Sequence, residues 1–472
     1  MTYNSLCLVL RNNGKTEAAL QVFEDTIKLT IPSGFVNKRE HRAVLLGNRA
    51  MVLRDLGLLE ESIVGMQEAE FIYRKLSDDD PDKYLDDWAG ALGNLSTILA
   101  DLGNYDLALE RIEQAEAIYR EIAEKSPDRF RGSWAGSLSS LGNRLQDVGR
   151  HEEARQQVEL AEGICRELAA AGPDSYRRVW ANTLINLSVC LTSAGRYDDA
   201  LADAQRAEGI LAELASARPS AFRSEWGAAL SNLGDALAAV GRIEEGLTIN
   251  EQAERLFREL ASTRPASYRP KLAAALGNGS IKLDRLGRND EALIKARECE
   301  GIYRELAIDR EESYRDEWGN SLTILSHSLL SLDVTASIAA AERAVSILED
   351  LFARYAQRTA GLLGFARTVL AEALWSSGNF GAATDQAVEA LNLLERVRDY
   401  APAELMPRRG VGLSLLALRP GQDQETSKTF AREAVNLIEP HFLRLGRGLE
   451  REMKLATAAL DRAGLGGNIA LL

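Results

Sequence analysis

The stretch ADLGNYDLALERIEQAEAIYREIAEKSPDRFRGSW (residues 100–134) returns as AAVGRIEEGLTINEQAERLFRELASTRPASYRPKL (residues 238–272), three steps of 46 residues later. The step runs through most of the chain. Gly57, Gly103, Gly149, Gly195, Gly241 and Gly287 keep it without slippage. So do Pro81, Pro127, Pro173, Pro219 and Pro265. Trp88, Trp134, Trp180, Trp226 and Trp318 follow the same step, with Leu272 at the one vacant tryptophan position. A fixed period of this length marks an array of stacked units.

Inside a unit the apolar period is helical. Leu92, Leu95, Leu99 and Leu102 share one face of a first helix. After Gly103, Ala108, Ile112, Ala115, Tyr119 and Ile122 line a second. Alanine falls where two helices must approach closely, and proline after each second helix cannot extend it. Each unit is therefore an antiparallel helix pair, which cannot bury its apolar face without a neighbour.

These columns resemble the tetratricopeptide repeat in an extended form, similar to kinesin-light-chain-like arrays. The resemblance is carried by Leu141-Gly142 and Leu233-Gly234, by DLGNYDLALE, SAGRYDDALA and VGRIEEGL, and by Ala115, Ala161, Ala207 and Ala253. The usual period is 34, and the extra residues are expected to lengthen the second helix and add a loop before the tryptophan. The resemblance implies an all-α, right-handed α-solenoid superhelix. About nine helix-pair units are expected over residues 1–445, the first and last atypical, then a capping helix and tail over 446–472. Toward the C-terminus the repeat decays: SLDVTAS replaces one turn glycine, and the next are Gly378 and Gly421.

A competing signal lies at residues 6–17, LCLVLRNNGKTE, which imitates a strand leading into a phosphate-binding loop. The glycine that loop needs five positions before Gly14 is Val9, which lacks the required backbone freedom. Gly14 also stands 43 residues before Gly57 and opens GKTEAALQVFEDTI, the counterpart of GNYDLALERIEQAE. It reads as a turn glycine. Leu6, Leu8, Val9 and Leu10 spread around more than one helix face, so the first edge is expected either to dock on something or to continue upstream. An effector or a second copy of the chain could occupy it.

Composition narrows the function. A net charge of −14 argues against nucleic acid or an anionic membrane as the main partner. No apolar run is long enough to span a membrane. Cys7, Cys165, Cys190 and Cys299 form no CxxC pair, which suits reduced thiols and a cytoplasmic setting. The four histidines are scattered, and no metal or catalytic constellation stands out, so neither an enzyme nor a cofactor is expected.

The resemblance places the first helices on a concave wall. Nine positions before the turn glycine stand Asn48, Asn94, Ser140, Asn186, Asn232, Asn278 and Ile324. Asparagine is mediocre inside helices, so its recurrence needs a cause. In the arrays this chain resembles, such a ladder grips the main chain of a peptide, for which a carboxamide offers both donor and acceptor. The other cause is structural, each Asn bonding a neighbouring helix and fixing the stacking. Six before the glycine stand Thr97, Asn143, Val189, Asp235, Ile281 and His327. Asn143 and His327 join the ladder as expected groove contacts. With only Arg144, Lys282 and Arg285 nearby, a clamp for a terminal carboxylate is not expected. The tryptophans, with Tyr84, Phe130, Tyr176 and Phe222 four positions earlier, read as packing. Glu70–Arg74, Glu116–Arg120, Glu162–Arg166, Glu254–Arg258 and Glu300–Arg304 read as solvated pairs along the second helix. The expected function is a protein-interaction scaffold holding a partner peptide or helix in its groove. The alternative is a regulatory arm of a larger signalling or defence assembly, docked through its N-terminal edge.

Overall fold

The computed structural model describes residues 18, 20–23, 25, 38–172, 174–309, 311–397, 406–445 and 449–465. Leu6, Cys7, Val9 and Gly14 lie outside them, and with them the N-terminal edge and the GKT segment. Nineteen helices of known bounds follow one another, and no strand occurs among the described residues. They are α1 (Lys38–Asp55), α2 (Leu59–Asp79), α3 (Pro81–Asp101), α4 (Tyr105–Lys125), α5 (Pro127–Asp147) and α6 (His151–Ala171). Next come α7 (Asp174–Ser193), α8 (Tyr197–Ala217), α9 (Pro219–Ala239), α10 (Ile243–Thr263), α11 (Pro265–Arg285) and α12 (Asn289–Asp309). The last are α13 (Glu311–Leu329), α14 (Val334–Phe352), α15 (Ala356–Ser376), α16 (Phe380–Arg396), α17 (Met406–Ala417), α18 (Gln424–Leu445) and α19 (Glu450–Arg462). Each helix packs on the next, which makes an all-α solenoid of antiparallel pairs.

The period has a simple anatomy. Helices α3 and α4 each have 21 residues, and a three-residue turn lies between them. Ser126 is the whole connection to Pro127, the first residue of α5. These parts account for all 46 positions. The extension is therefore helical on both sides, and the expected loop before the tryptophan does not exist: Trp88 sits in the second turn of α3.

Both corners are set by backbone sterics. Asp80, Ser126, Arg218 and Arg264 precede prolines and adopt φ of −145°, −141°, −137° and −137° with ψ of 72–84°. A residue before proline is driven out of the helical region, which ends the second helix there. The proline starts the next helix at the position where its missing N–H is not needed. At the other corner the turn glycines, with Gly464, all have φ between 71° and 86°, the left-handed conformation that closes a helix C-terminus.

Successive first helices (α1, α3, α5 and onward to α17) touch one another, whereas successive second helices stand farther apart. The first helices thus form the concave wall. The pairs meet through small residues: Ala108, Ala115, Ala154 and Ala161 are fully buried. Between α9 and α10 a Cβ on Gly246 would lie 2.5 Å from the Gly234 carbonyl oxygen, so this contact admits only glycine. Cys165, Cys190 and Cys299 are buried thiols in this core, and burial pushes the latter two up to about 12. Helix α19 packs on α17 and α18 through Met453, Ala456, Ala459 and Leu460.

The glutamate column is not solvated as expected. Trp88 Nε1 donates to Glu70, Trp134 to Glu116, Trp180 to Glu162, Trp226 to Glu208 and Trp318 to Glu300, at 2.8–3.0 Å. Glu116, Glu162 and Glu300 are buried. Their arginine partners lie at 3.4–4.0 Å, longer than the indole bonds. Where Leu272 replaces the tryptophan, Glu254 instead binds Lys295 and Arg258.

The array also curls back on itself. Arg358, in the first turn of α15, donates to the Asp101 carbonyl oxygen at the end of α3 (2.8 Å) and to Asp316 on α13. Tyr355 reaches Glu60 on α2 at 3.4 Å. At the end of α18, Arg444 donates to the Ala239 carbonyl oxygen at 2.6 Å and lies 3.7 Å above the Tyr197 ring. Gly241 makes room for this: a Cβ there would stand 2.7 Å from the Arg444 carbonyl oxygen. Beside the Arg358 contact, burial and the adjacent Asp316 push the Glu317 carboxyl up to about 9, and its Oε2 has no hydrogen-bond partner.

These contacts have measurable consequences. Replacing Trp134 by Phe keeps an aromatic ring but leaves buried Glu116 without its donor. It should lower local stability by about 1–3 kcal/mol, read as faster amide exchange in α4 and α5 than in α10 and α11. For Glu317, the folded state keeps a proton that the unfolded chain releases once the pH passes the ordinary carboxylate range. Its contribution is complete at about pH 4 and declines as pH rises toward about 9, by at most about 1.4 kcal/mol per unit. Between about pH 5 and 9, the Tm of Glu317→Gln should therefore rise relative to wild type, and parallel profiles would show that Glu317 is ionised.

Candidate functional site

The asparagines follow the first helices along the concave wall. Asn94 is exposed, and Asn48, Asn143, Asn186, Asn232 and Asn278 are half-buried. Their bonding differs. Asn278 Nδ2 donates to Asp235 Oδ2 at 3.1 Å, and Lys282 Nζ donates to the other oxygen of the same carboxylate at 2.6 Å. This bridge ties α11 to α9, the stacking role that was the alternative for the whole column. Asn94, Asn143 and Asn186 make no hydrogen bond among the described residues, and Asn232 Oδ1 is out of solvent without a donor. A second asparagine that knits two units together is off the ladder: buried Asn250, on second helix α10, donates to the Ala275 carbonyl oxygen at 2.8 Å. In the ladder column Ile324 is buried.

At the far end of this wall the later helices close over it. A cavity of about 860 Å³ lies between the ends of α11 and α13 and the facing ends of α17, α18 and α19. His327 lines it, and the two nitrogens of its ring contact Asp284 and Arg408, the latter at 3.4 Å. Arg408 also pairs with Glu452 at 3.5 Å, and Arg451 with Glu372 at 3.1 Å. Burial works to raise Asp284 and Glu372, but Arg451, Arg408 and His327 outweigh it and hold both carboxyls below their usual range.

Of the cavity residues, Ile281, Gly287, Ile324 and His327 stood in readable columns, with Arg285 beside them. Glu372 continues the column of Asn143, Asp235 and His327, six positions before its turn glycine. Arg408 and Arg451 each stand 13 residues before a positive-φ glycine, Gly421 and Gly464. Regular units place Gly90, Gly136, Asn182, Ala228 and Ala274 there, none of them charged. Registering the last units on Gly421 and Gly464 would have exposed both arginines. Among the described residues no group of His, Cys, Asp or Glu is arranged to hold a metal, and no helix is long and apolar enough to cross a membrane.

No curated protein sequence matches the chain. Among solved structures, a Rap protein complexed with competence and sporulation factor is similar at 13% identity with a TM-score of 0.53. The match covers 84% of this chain and 98% of that one. Aspartyl phosphate phosphatase F from Bacillus subtilis is similar at 13% identity and a TM-score of 0.49, over 83% and 92% of the two chains. A signal-transduction ATPase with a tetratricopeptide repeat sensor from Pyrococcus horikoshii matches at 11% identity and 0.46, over 80% and 53%. Tetratricopeptide-repeat family models match residues 88–128, 134–168 and 227–249. Those segments fall on α3–α6 and α9–α10, within the unbroken 46-residue register. Within these segments the chain carries tetratricopeptide repeats.

Proposed function

We propose that this protein is an interaction scaffold whose concave wall holds an extended or helical segment of a partner protein. Asn94, Asn186 and Asn232 are its main-chain contacts, with Asn48, Asn143 and Asn278 beside them. The observation that carries the reading is the unused side-chain hydrogen-bonding capacity of Asn94, Asn143 and Asn186. A carboxamide that merely fixed stacking would bond a neighbouring helix, as Asn278 does. Residues 1–445 then form the working solenoid, with 446–472 as its cap and tail. A Rap protein of the same fold has been seen in complex with competence and sporulation factor, so this architecture can accommodate a ligand.

The test is a peptide-display selection on the full chain, followed by affinities for a variant with Asn94, Asn186, Asn232 and Asn278 all changed to Ala. Net gains of about 0.5–1.5 kcal/mol per contact predict a loss on the order of 100-fold, with an unchanged circular-dichroism spectrum. Selected peptides that bind the folded variant as tightly as wild type would remove the ladder from the binding surface.

A further inference from the structure

We infer that the cavity between the α11–α13 wall and the facing ends of α18 and α19 is a binding site for a small amphipathic anion, a carboxylate or phosphate head on an apolar body. It lies beyond the ladder asparagines, none of which lines it, and takes in His327, the last of the expected groove contacts.

Its size comes first. About 860 Å³ is within the range of pockets that enclose a metabolite-sized molecule. Charge comes second. Arg285, Arg408, Arg444, Arg451 and Lys454 line the cavity with Asp284, Glu450 and Glu452, and Glu372 stands behind Arg451, in a chain whose net charge is −14. Cations converging from four helices of an acidic protein are a local departure, and in a partly desolvated space their attraction for an anion is screened less than at the surface.

The arrangement is also preorganised. Carboxylates hold Arg451 and Arg408 in place, through Glu372 (3.1 Å) and Glu452 (3.5 Å). Fixed cations lose little freedom when a ligand arrives. Arg285 is different: it has no ion-pair or hydrogen-bond partner among the described residues, yet it lines the cavity and is half-buried. Its guanidinium fork suits a carboxylate or phosphate. The apolar part of the wall comes from Ile281, Ile324, Phe365 and Leu449, and Ile281 remains 37% exposed. A purely ionic ligand would leave these side chains uncovered, whereas an apolar tail would cover them.

The test uses the full chain and four probes: octanoate, octyl phosphate, octanol and inorganic phosphate. Isothermal titration calorimetry should give one saturable site for at least one of the two amphipathic anions. Octanol should bind about tenfold more weakly or worse, as expected for loss of a charge-assisted contact. Inorganic phosphate should also bind more weakly, for want of the tail. Preference between octanoate and octyl phosphate identifies the head group. The affinity for the anion should fall as sodium chloride is raised, a readout that needs no variant. Arg285→Gln should weaken the anion about tenfold and leave octanol unchanged. The quadruple asparagine variant should bind the anion like wild type, so failure of the ladder reading and failure of this one are distinguishable. The inference is overturned if neither anion saturates a site below about 1 mM. Equal binding of octanol and octanoate, or an unchanged affinity in folded Arg285→Gln, would overturn it as well.

Discussion

The regular units of this molecule are registered by two corners of the backbone. One is a residue forced extended by the proline after it; the other is a glycine held at positive φ. Between them there is room for 21 helical residues and no more. Because both corners recur at constant spacing, side chains with the same offset land at the same place on successive units. Columns such as the alanines of the helix contacts, the tryptophan–glutamate bond and the asparagine ladder are consequences of that register. A single inserted residue would rotate the helix beyond it by about 100° and take its column off the shared face.

The tryptophan–glutamate bond shows how a column acquires chemistry. An indole N–H buried between helices requires an acceptor, and the glutamate 18 residues earlier is delivered to it by the register. The chain contains its own control at Leu272. Without the indole, Glu254 would be a half-buried carboxylate lacking that donor. Lys295 fills the role and, with Arg258, keeps its pKa below the usual range despite the opposing effect of burial. What is maintained across units is satisfaction of the acid rather than the identity of its partner.

Much of this was legible before any coordinates. Periodicity revealed the helix pairs, the turn glycines and the columns, and the family resemblance placed the concave wall. What escaped were features that depend on distance in three dimensions rather than on offset. The Glu116–Arg120 spacing is that of an exposed i, i+4 pair, and nothing local reveals that Trp134, in the next helix, takes the same carboxylate. The loop expected before Trp88 was a misplacement of helix length, since a helix can start directly at proline. The cavity was missed because Arg408 and Arg451 belong to units whose register is readable only from Gly421 and Gly464. Asn278 and Asn94 occupy the same column with different bonding. Asp235, 43 residues before Asn278, accepts from it, whereas the position 43 residues before Asn94 holds Met51, which has no carboxylate to offer.

The decay of the repeat toward the C-terminus has a structural reason. In a solenoid that contacts only nearest neighbours, every unit meets the same surroundings and one consensus serves them all. Here the chain curls far enough for later units to meet earlier ones. Arg358 must reach the end of α3 as well as pair with Asp316, and Arg444 must fit over Gly241 and Tyr197. Units with two sets of neighbours cannot keep a sequence tuned to one. The departures from consensus therefore concentrate where the array closes: Arg358 and Tyr355 at one contact, Arg444 at the other, and His327, Glu372, Arg408 and Arg451 around the space enclosed between them. Regular units provide a wall of constant chemistry, and the irregular ones give that wall an end with its own charge.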